Sequence, residues 1–175
     1  MFRILHELYT SQKSACLYTN FNDINKFHFG TIAAVNDEEV AIQMITPYGD
    51  DDGIIIMNID NVYRIETNCK YVEKMKKLCS NKQLPSYEFF SENNSIKISS
   101  LLFAFNKELV VSIELLDSGY NSIVGLIKMI EDNKCKIQQV DEYGNLDGIS
   151  YIRIKDITKL SFLTQDEKQI MDLVN

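Results

Sequence analysis

Short apolar runs broken by turn residues dominate two stretches of the chain, 30–65 and 125–160. The runs are rich in isoleucine and valine, and turn residues follow every 8 to 12 positions. This pattern is typical of β-strands, because β-branched side chains fit the pleated surface of a sheet. We predict strands near 15–20, 27–36, 39–46, 53–58 and 62–66 in the first copy of the pattern. In the second copy we predict strands near 110–116, 122–131, 134–142, 148–153 and 157–162.

Amphipathic segments flank each group of strands. Apolar residues recur at the spacing of one helix face over 71–78, at Tyr71, Val72, Met75 and Leu78, which predicts a helix. Three further helices are predicted over 2–9, 96–105 and 166–174, the last with Ile170 and Leu173 on its apolar face. Apolar triplets at 59, 62 and 65 and at 154, 157 and 160 predict a single 3₁₀ turn before the last strand of each group.

The two groups of strands are copies of one unit. A shift of 95 residues without a gap places 30–65 on 125–160, and 11 of the 36 aligned positions are identical. Chance would give roughly three. Gly30 and Gly125 are among the identical residues and fall inside a predicted strand, where a glycine marks a bend or a bulge. Between the strands, 36–38 and 132–134 predict tight hairpin turns.

The repeat predicts three segments: a first copy over 1–80, a linker over 81–94 and a second copy over 95–175. The linker holds Tyr87, Phe89 and Phe90. A flexible linker rarely exposes three aromatic side chains, so we expect them to pack between the two copies.

The order of elements predicts a mainly β fold with minor α, built as two tandem five-stranded small barrels that are each flanked by helices. This order resembles the Sm-like and Src-homology-3-like small barrels. The whole chain is also similar to uncharacterised tandem-barrel proteins of low-GC bacteria. The Sm resemblance would imply RNA binding through an Asp and Asn after the bent-strand glycine and an Ile-Arg-Gly before the last strand. Here the glycine is followed by Asn36, Asp37 and Val40, and the later segment reads Ile152-Arg153-Ile154.

Charge and composition narrow the class of protein. The net charge of −7 is spread over both copies, which disfavours nucleic acid as a partner. The sequence contains no apolar run of about 18 residues, which is the length that a membrane span needs, so no membrane partner is expected. The N-terminus lacks the pattern of a secretory signal, and we expect a cytoplasmic protein. The four cysteines show no Cys-x-x-Cys spacing and are interpreted as small apolar residues.

The most distinctive repeated string is Tyr-Gly-x-x-Asp-Gly. It contributes eight candidate binding residues: Tyr48, Gly49, Asp52, Gly53, Tyr143, Gly144, Asp147 and Gly148. Turn chemistry explains most of them, because the glycines supply positive φ, the aspartate bonds the turn and the tyrosine covers a barrel end with a buried ring. The alternative is a pair of equivalent ligand loops, since loops on a rigid scaffold often carry binding. We favour the structural interpretation.

Gln43 and Gln138 are also candidate binding residues. Each stands beside an isoleucine on the third predicted strand and should face outward. We expect each to cap a helix that lies across the barrel, with a bond to an edge strand or ligand as the alternative.

Three adjacent acids, Asp50, Asp51 and Asp52, invite a calcium interpretation. Consecutive carboxylates point apart, so we predict no metal.

Little in the sequence points to catalysis. Cys16 and His28 are conceivable as nucleophile and base, but no activated-thiol motif surrounds them. No phosphate-binding glycine loop is present, so we predict no catalytic residue and no cofactor. We favour a non-catalytic binding or adaptor protein that recognises another protein, of a regulatory or inhibitor type. An Sm-like RNA-binding protein and a small enzyme that uses Tyr48 and Tyr143 are the alternatives. The oligomeric state stays open, including self-association through barrel edges.

Overall fold

The computed structural model describes residues 1–88, 90, 95–120 and 123–174. The chain divides into two compact units, unit 1 over Met1–Glu88 and unit 2 over Phe89–Asn175. Each is mainly β, with helices before and after the strands. The division falls inside the predicted linker, of which Tyr87 belongs to unit 1 and Phe89 lies outside the described residues. Packing of the linker aromatics between the copies stays a prediction.

The two units repeat one order of elements. Unit 1 consists of α1 (Phe2–Ser11), β1 (Ala15–Tyr18), β2 (His28–Val35), β3 (Glu39–Ile45), β4 (Asp51–Asn58), a 3₁₀ turn (Ile59–Asn61), β5 (Arg64–Glu66) and α2 (Lys70–Cys79). Unit 2 consists of α3 (Ile96–Asn106), β6 (Val110–Leu115), β7 (Ile123–Glu131), β8 (Lys134–Val140), β9 (Leu146–Arg153), a 3₁₀ turn (Ile154–Asp156), β10 (Ile157–Phe162) and α4 (Gln165–Leu173). The predicted helices, strands and 3₁₀ turns are therefore all observed, because their signal is local.

Each unit holds an antiparallel five-stranded sheet with the strand order five, one, two, three, four. The order is β5-β1-β2-β3-β4 in unit 1 and β10-β6-β7-β8-β9 in unit 2. Among the pairings of the described residues, none joins the fourth to the fifth strand of the same unit. Each sheet is therefore open, and the predicted closed barrels are not confirmed. A fifth strand of three residues, as in unit 1, offers few backbone groups for the second pairing that closure requires.

The two in-strand glycines permit a close approach between neighbouring strands. A Cβ atom on Gly30 would lie 1.9 Å from the carbonyl oxygen of Gln43, and one on Gly125 would lie 2.1 Å from that of Gln138. Shortly after each glycine the register of the strand pair shifts, which is the bulge that the glycine predicts. The glycines are thus required by the backbone of the adjacent strand.

The hairpin turns confirm the interpretation of their Asn and Asp residues. The Asn36 side chain accepts hydrogen bonds from the backbone N–H groups of Glu38 and Glu39, at 2.9 and 2.7 Å. In the equivalent turn of unit 2, Asp132 and Asn133 both have positive φ. Short polar side chains tolerate this region best, which is why they stand at these positions.

Helices α1, α2 and α4 each contribute one or two buried side chains, whereas α3 contributes six. Leu5 and Leu8 of α1 join the core of β2, β3 and β4, and Met75 of α2 packs into a second cluster with Cys16. Helix α4 departs from the prediction, because Leu173 is exposed and Glu167 is the buried residue of its face.

Alkaline pH should destabilise unit 1. Burial raises the pKa of the Cys16 thiol to about 12, and burial with a hydrogen bond to Glu66 raises the pKa of Tyr18 to about 12. The neutral forms therefore stabilise the fold fully below the ordinary pKa values of 9.0 and 10.0, and this contribution is lost as the pH rises through 12. Urea unfolding curves across this range measure the change. An unfolding free energy that stays constant would contradict the prediction.

Candidate functional site

The first tyrosine loop, residues 46–53, is a pinned turn between β3 and β4. The Thr46 N–H donates to the carbonyl of Asp50 at 2.8 Å, and the Gly49 N–H donates back to the carbonyl of Thr46 at 2.9 Å. The Thr46 hydroxyl also accepts from the N–H groups of Tyr48 and Asp50. Gly49 has a φ of 83°, which glycine adopts without strain. These bonds leave the loop backbone little freedom.

The second tyrosine loop, residues 141–148, is the same turn with a different anchor. Asp141 stands at the position of Thr46, and its carboxylate accepts from the N–H groups of Tyr143 and Asn145, at 2.9 and 2.8 Å. The hydrogen bonds from Asn145 are the largest cause that lowers the pKa of Asp141. Sequence reasoning missed both anchors because Thr46 and Asp141 are not identical. The signal was that a hydroxyl and a carboxylate stand at the same position of the repeat, because both side chains can accept hydrogen bonds from backbone N–H groups.

Both tyrosine rings are exposed, so the interpretation that they cover barrel ends is wrong. Tyr48 is 77% exposed and Tyr143 is 71% exposed. The physical reason is that helix ends occupy the space beside each turn. A Cβ atom on Gly49 would lie 3.4 Å from the sulfur of Cys79 in α2, and one on Gly144 would lie 2.5 Å from the backbone of Leu173 in α4. The rings are left on the solvent side.

The second half of each repeated string belongs to a strand rather than to the turn. Asp52 and Gly53 lie in β4, and Asp147 and Gly148 lie in β9. The glycines have φ values of 71° and 75°, as predicted, and the pairing with the third strand shifts register there. They therefore form bulges next to the turns. In unit 1 the aspartate that bonds the backbone is Asp51, which accepts from the Gly53 N–H at 3.3 Å.

The repeated glutamines bond neighbouring strands and loops, and the expectation that they cap helices is wrong. Gln43 donates to the carboxylate of Asp51 at 2.9 Å and to the carbonyl of Pro85 at 3.0 Å. Gln138 donates to the carbonyl of Gly148 at 2.7 Å. In both units the amide thus supports the strand that follows the tyrosine loop. The physical reason is that the acceptors nearest to each amide belong to this strand and the adjoining loop.

Residues 80–87 contact the first tyrosine loop through side-chain hydrogen bonds. The Lys82 ammonium donates to the carbonyl of Tyr48 at 2.8 Å and pairs with Asp50 at 2.5 Å. The Tyr87 hydroxyl donates to Asp51 at 2.7 Å in a part-buried hydrogen bond. Desolvation is the larger cause that raises the Tyr87 pKa, and this hydrogen bond is the next. The acids at 50 and 51 therefore serve side-chain contacts. Within the residues that the structure describes, no group of three His, Cys, Asp or Glu side chains is placed to hold a metal ion.

Cys16 and His28 are not a nucleophile and base pair. Cys16 is opposite Phe29 in the sheet, and His28 is opposite Leu17. Because successive residues of a strand point to opposite faces, the thiol and the imidazole lie on different sides of the sheet. Burial also raises the pKa of Cys16, which is the reverse of the change that activates a thiol.

Sequence reasoning missed an exposed face on β8 and β9 of unit 2. Ile149 and Tyr151 are 49% and 67% exposed, and each lies opposite an outward residue of β8, Gln138 and Lys136. The Lys136 ammonium lies 5.8 Å from the centre of the Tyr151 ring. The signal was available in the repeat, because the apolar string of β4 is broken by polar residues in β9.

An apolar depression in unit 2 was also missed. It is lined by seven residues from the start of β6, the end of β10 and α4: Leu109, Val110, Leu163, Glu167, Lys168, Met171 and Asp172. The lining residues come from segments that are far apart in the sequence, so no local sequence pattern predicts the depression.

No known protein family, curated protein or solved structure matches this chain. None of the helices in the described residues reaches the length and apolar character needed to cross a bilayer. What the candidate site can bind is therefore inferred from its own geometry.

Proposed function

We propose that this chain is a non-catalytic, cytoplasmic protein-binding module whose two tyrosine loops recognise another protein. The observation that carries the proposal is the exposure of the Tyr48 and Tyr143 rings on turns that are fixed by hydrogen bonds. Turn chemistry requires the glycines and the anchors at 46 and 141, but it does not require an aromatic ring in solvent. A repeated exposed tyrosine is therefore better explained by recognition.

The physical advantage of such loops is a low entropic cost of binding. A tyrosine ring buries a large amphipathic surface with two side-chain torsions, and a fixed backbone adds little ordering cost when a partner docks. The strand order five, one, two, three, four with a 3₁₀ turn before the fifth strand supports the small-barrel resemblance, in which loops project from a compact sheet. Both features favour a regulatory or inhibitor-type binding protein.

A non-catalytic role is supported by the state of the groups that chemistry would need. The Cys16 thiol is buried with a raised pKa, and His28 faces the other side of its sheet. Tyr48 and Tyr143, the residues of the enzyme alternative, stand in solvent, where water weakens the electrostatic interactions that catalysis uses. An exposed ring suits contact with a partner better than chemistry on a small substrate.

Removing the rings should leave the fold intact. We expect Tyr48→Ala and Tyr143→Ala each to change the free energy of unfolding by less than about 0.5 kcal/mol, since exposed side chains contribute little. Thermal melts of the purified variants measure this. A loss of about 3 kcal/mol, typical of a buried aromatic ring, would show that the rings are structural.

The same variants test the binding proposal in a cell extract. The wild-type chain should retain a partner protein that the Tyr48→Ala, Tyr143→Ala double variant loses by more than about tenfold, as expected when an aromatic hot spot is removed. Tyr120→Ala is the matched control, because Tyr120 is 66% exposed outside the loops. Equal retention by all three chains would contradict the proposal.

RNA binding is the second candidate, and one observation favours it. Lys134 lies opposite Arg153 and Lys136 lies opposite Tyr151, so basic and aromatic side chains alternate on one face. Such a face suits phosphate contacts with base stacking. Since each unit carries net negative charge, we expect only non-specific affinity, with a Kd of about 10⁻⁶ M or weaker at physiological salt. Anisotropy of labelled single-stranded RNA measures it, with Lys136→Glu as the control. Tight binding with a steep salt dependence would replace the protein-binding proposal.

A further inference from the structure

Two of the four cysteines lie against each other in unit 1. Cys16 of β1 is opposite Glu66 of β5, and Cys69 follows three residues later, at the N-cap of α2. Cys16 belongs to a buried apolar cluster, and Cys69 packs against the same cluster. Burial is the largest cause that raises the Cys16 pKa, and the next two are the charge of Cys69 and a hydrogen bond with its side chain. The two thiols are therefore neighbours, although they are far apart in the sequence.

Unit 2 has hydroxyl groups at both of these positions. Ser112 stands at the sheet position of Cys16, since each lies opposite the residue that precedes the bulge glycine. Thr164 stands at the N-cap of α4, as Cys69 stands at that of α2. Thr164 forms a capping box, whereas Cys69 makes no side-chain cap hydrogen bond. Helix capping therefore does not explain the cysteine at 69, and unit 1 has sulfur at two positions where unit 2 has oxygen.

The two thiols differ in their access to solvent. Cys16 is 1% exposed, whereas Cys69 is partly exposed. A small oxidant can therefore reach Cys69 first, and the Cys16 thiol is placed to react with the oxidised sulfur. An accessible thiol beside a second, resolving thiol is the arrangement that redox-sensing cysteines use.

We propose that a hydroperoxide converts Cys69 and Cys16 into a disulfide that ties the start of α2 to β1. The Cys69 sulfur attacks the peroxide and the O–O bond breaks, which gives a sulfenic acid and one water when hydrogen peroxide is the oxidant. The Cys16 sulfur then attacks the Cys69 sulfur, the S–O bond breaks, and the released hydroxide takes up the Cys16 proton to form a second water. The two sulfurs together lose two electrons, which the peroxide gains. In a reducing compartment such a disulfide is transient and typical of a redox sensor.

The other two cysteines are poorly placed to compete. Cys79 ends α2, ten residues after Cys69, so a helix length of about 15 Å separates the two. Cys135 is 0% exposed in β8 of unit 2. The disulfide should therefore form between one pair only. It uses none of the residues of the tyrosine loops, so the inference goes beyond the proposed function and does not depend on it.

Peptide mapping of the full chain tests the pairing. The reduced chain is treated with hydrogen peroxide, the remaining thiols are alkylated, and disulfides are identified by mass spectrometry without reduction. The pair Cys16–Cys69 should exceed every other pair by more than about tenfold, because the fold holds these two thiols at a high effective concentration. The same treatment in concentrated urea should give mixed pairs. A native chain that keeps all its thiols, forms mainly another pair, or overoxidises Cys69 without a disulfide would overturn the proposal.

Three serine variants test the order of the two steps. Cys16→Ser should leave Cys69 as a sulfenic acid that dimedone captures, whereas Cys69→Ser should give no adduct at Cys16, since that thiol is buried. Cys79→Ser is the matched control, because Cys79 is also partly exposed on α2; it should form the disulfide as wild type does. Capture at Cys16 instead of Cys69, or loss of the disulfide in Cys79→Ser, would also overturn the proposal. The wild-type map needs no substitution, so it decides the pairing even if a variant unfolds.

Discussion

Replacing Gly125 with alanine should destabilise unit 2 by about 3 kcal/mol or more, because the added methyl group has no space. The Cβ atom would lie 2.1 Å from the carbonyl oxygen of Gln138 on the adjacent strand. That oxygen belongs to the backbone, so relief requires β7 and β8 to separate and to lose hydrogen bonds. No side-chain rotation can remove the clash.

Gly148→Ala is the matched control in the same unit. Gly148 has a φ of 75°, and within the described part of the chain a methyl group there would meet no heavy atom closer than 4 Å. The substitution therefore costs only the backbone strain of about 1 kcal/mol. Urea unfolding of both variants measures the difference. Similar losses in the two variants would show that the close approach at Gly125 is not what the repeat preserves.

Glu167→Ala should cost unit 2 about 3 kcal/mol, because it removes a buried acceptor from three donors at once. The carboxylate accepts from the Ser161 hydroxyl at 2.8 Å and from the Thr164 N–H at 2.9 Å, and it also bonds the Thr164 hydroxyl. The Thr164 and Glu167 bonds form the capping box that begins α4. Loss of the carboxylate leaves these donors buried without their acceptor and weakens the start of the helix.

Asp166→Ala separates this effect from helix electrostatics. Asp166 lies in the same first turn and is exposed, so its removal should cost less than about 1 kcal/mol. Thermal melts of both variants decide between the two causes. Equal destabilisation would mean that negative charge near the helix N-terminus matters and the buried network does not.

The elements of this fold were predictable because their signals are local. The period of the apolar residues in 27–36 or 123–131 depends only on the strand itself, and the 95-residue offset doubles the evidence for each element. Gly30 and Gly125 were correctly interpreted as special strand positions, because a missing side chain in a β pattern needs a reason. Both features can be predicted without knowing which residues pack against them.

Burial and closure were not predictable, because they depend on neighbours that are distant in sequence. Tyr48 and Tyr143 were expected to be buried, yet helix ends take the space beside their turns. Ile54 and Ile149 occupy the same position of the repeat but differ in exposure. Residue identity in the repeat therefore did not predict burial. Whether a fifth strand closes a barrel is also decided by pairing across the unit. The candidate loops were therefore located by sequence, while their orientation required the structure.

The proposal that the tyrosine loops recognise another protein is tested most directly by photocrosslinking in the living cell. The photoreactive residue p-benzoylphenylalanine would replace Tyr48, Tyr143 or, as a control, Tyr120, and irradiation would trap whatever lies against each ring. We expect the same foreign protein to be bound covalently at 48 and 143 and to be absent at 120. Adducts no more frequent at the loops than at Tyr120, or adducts with the chain itself only, would contradict the proposal.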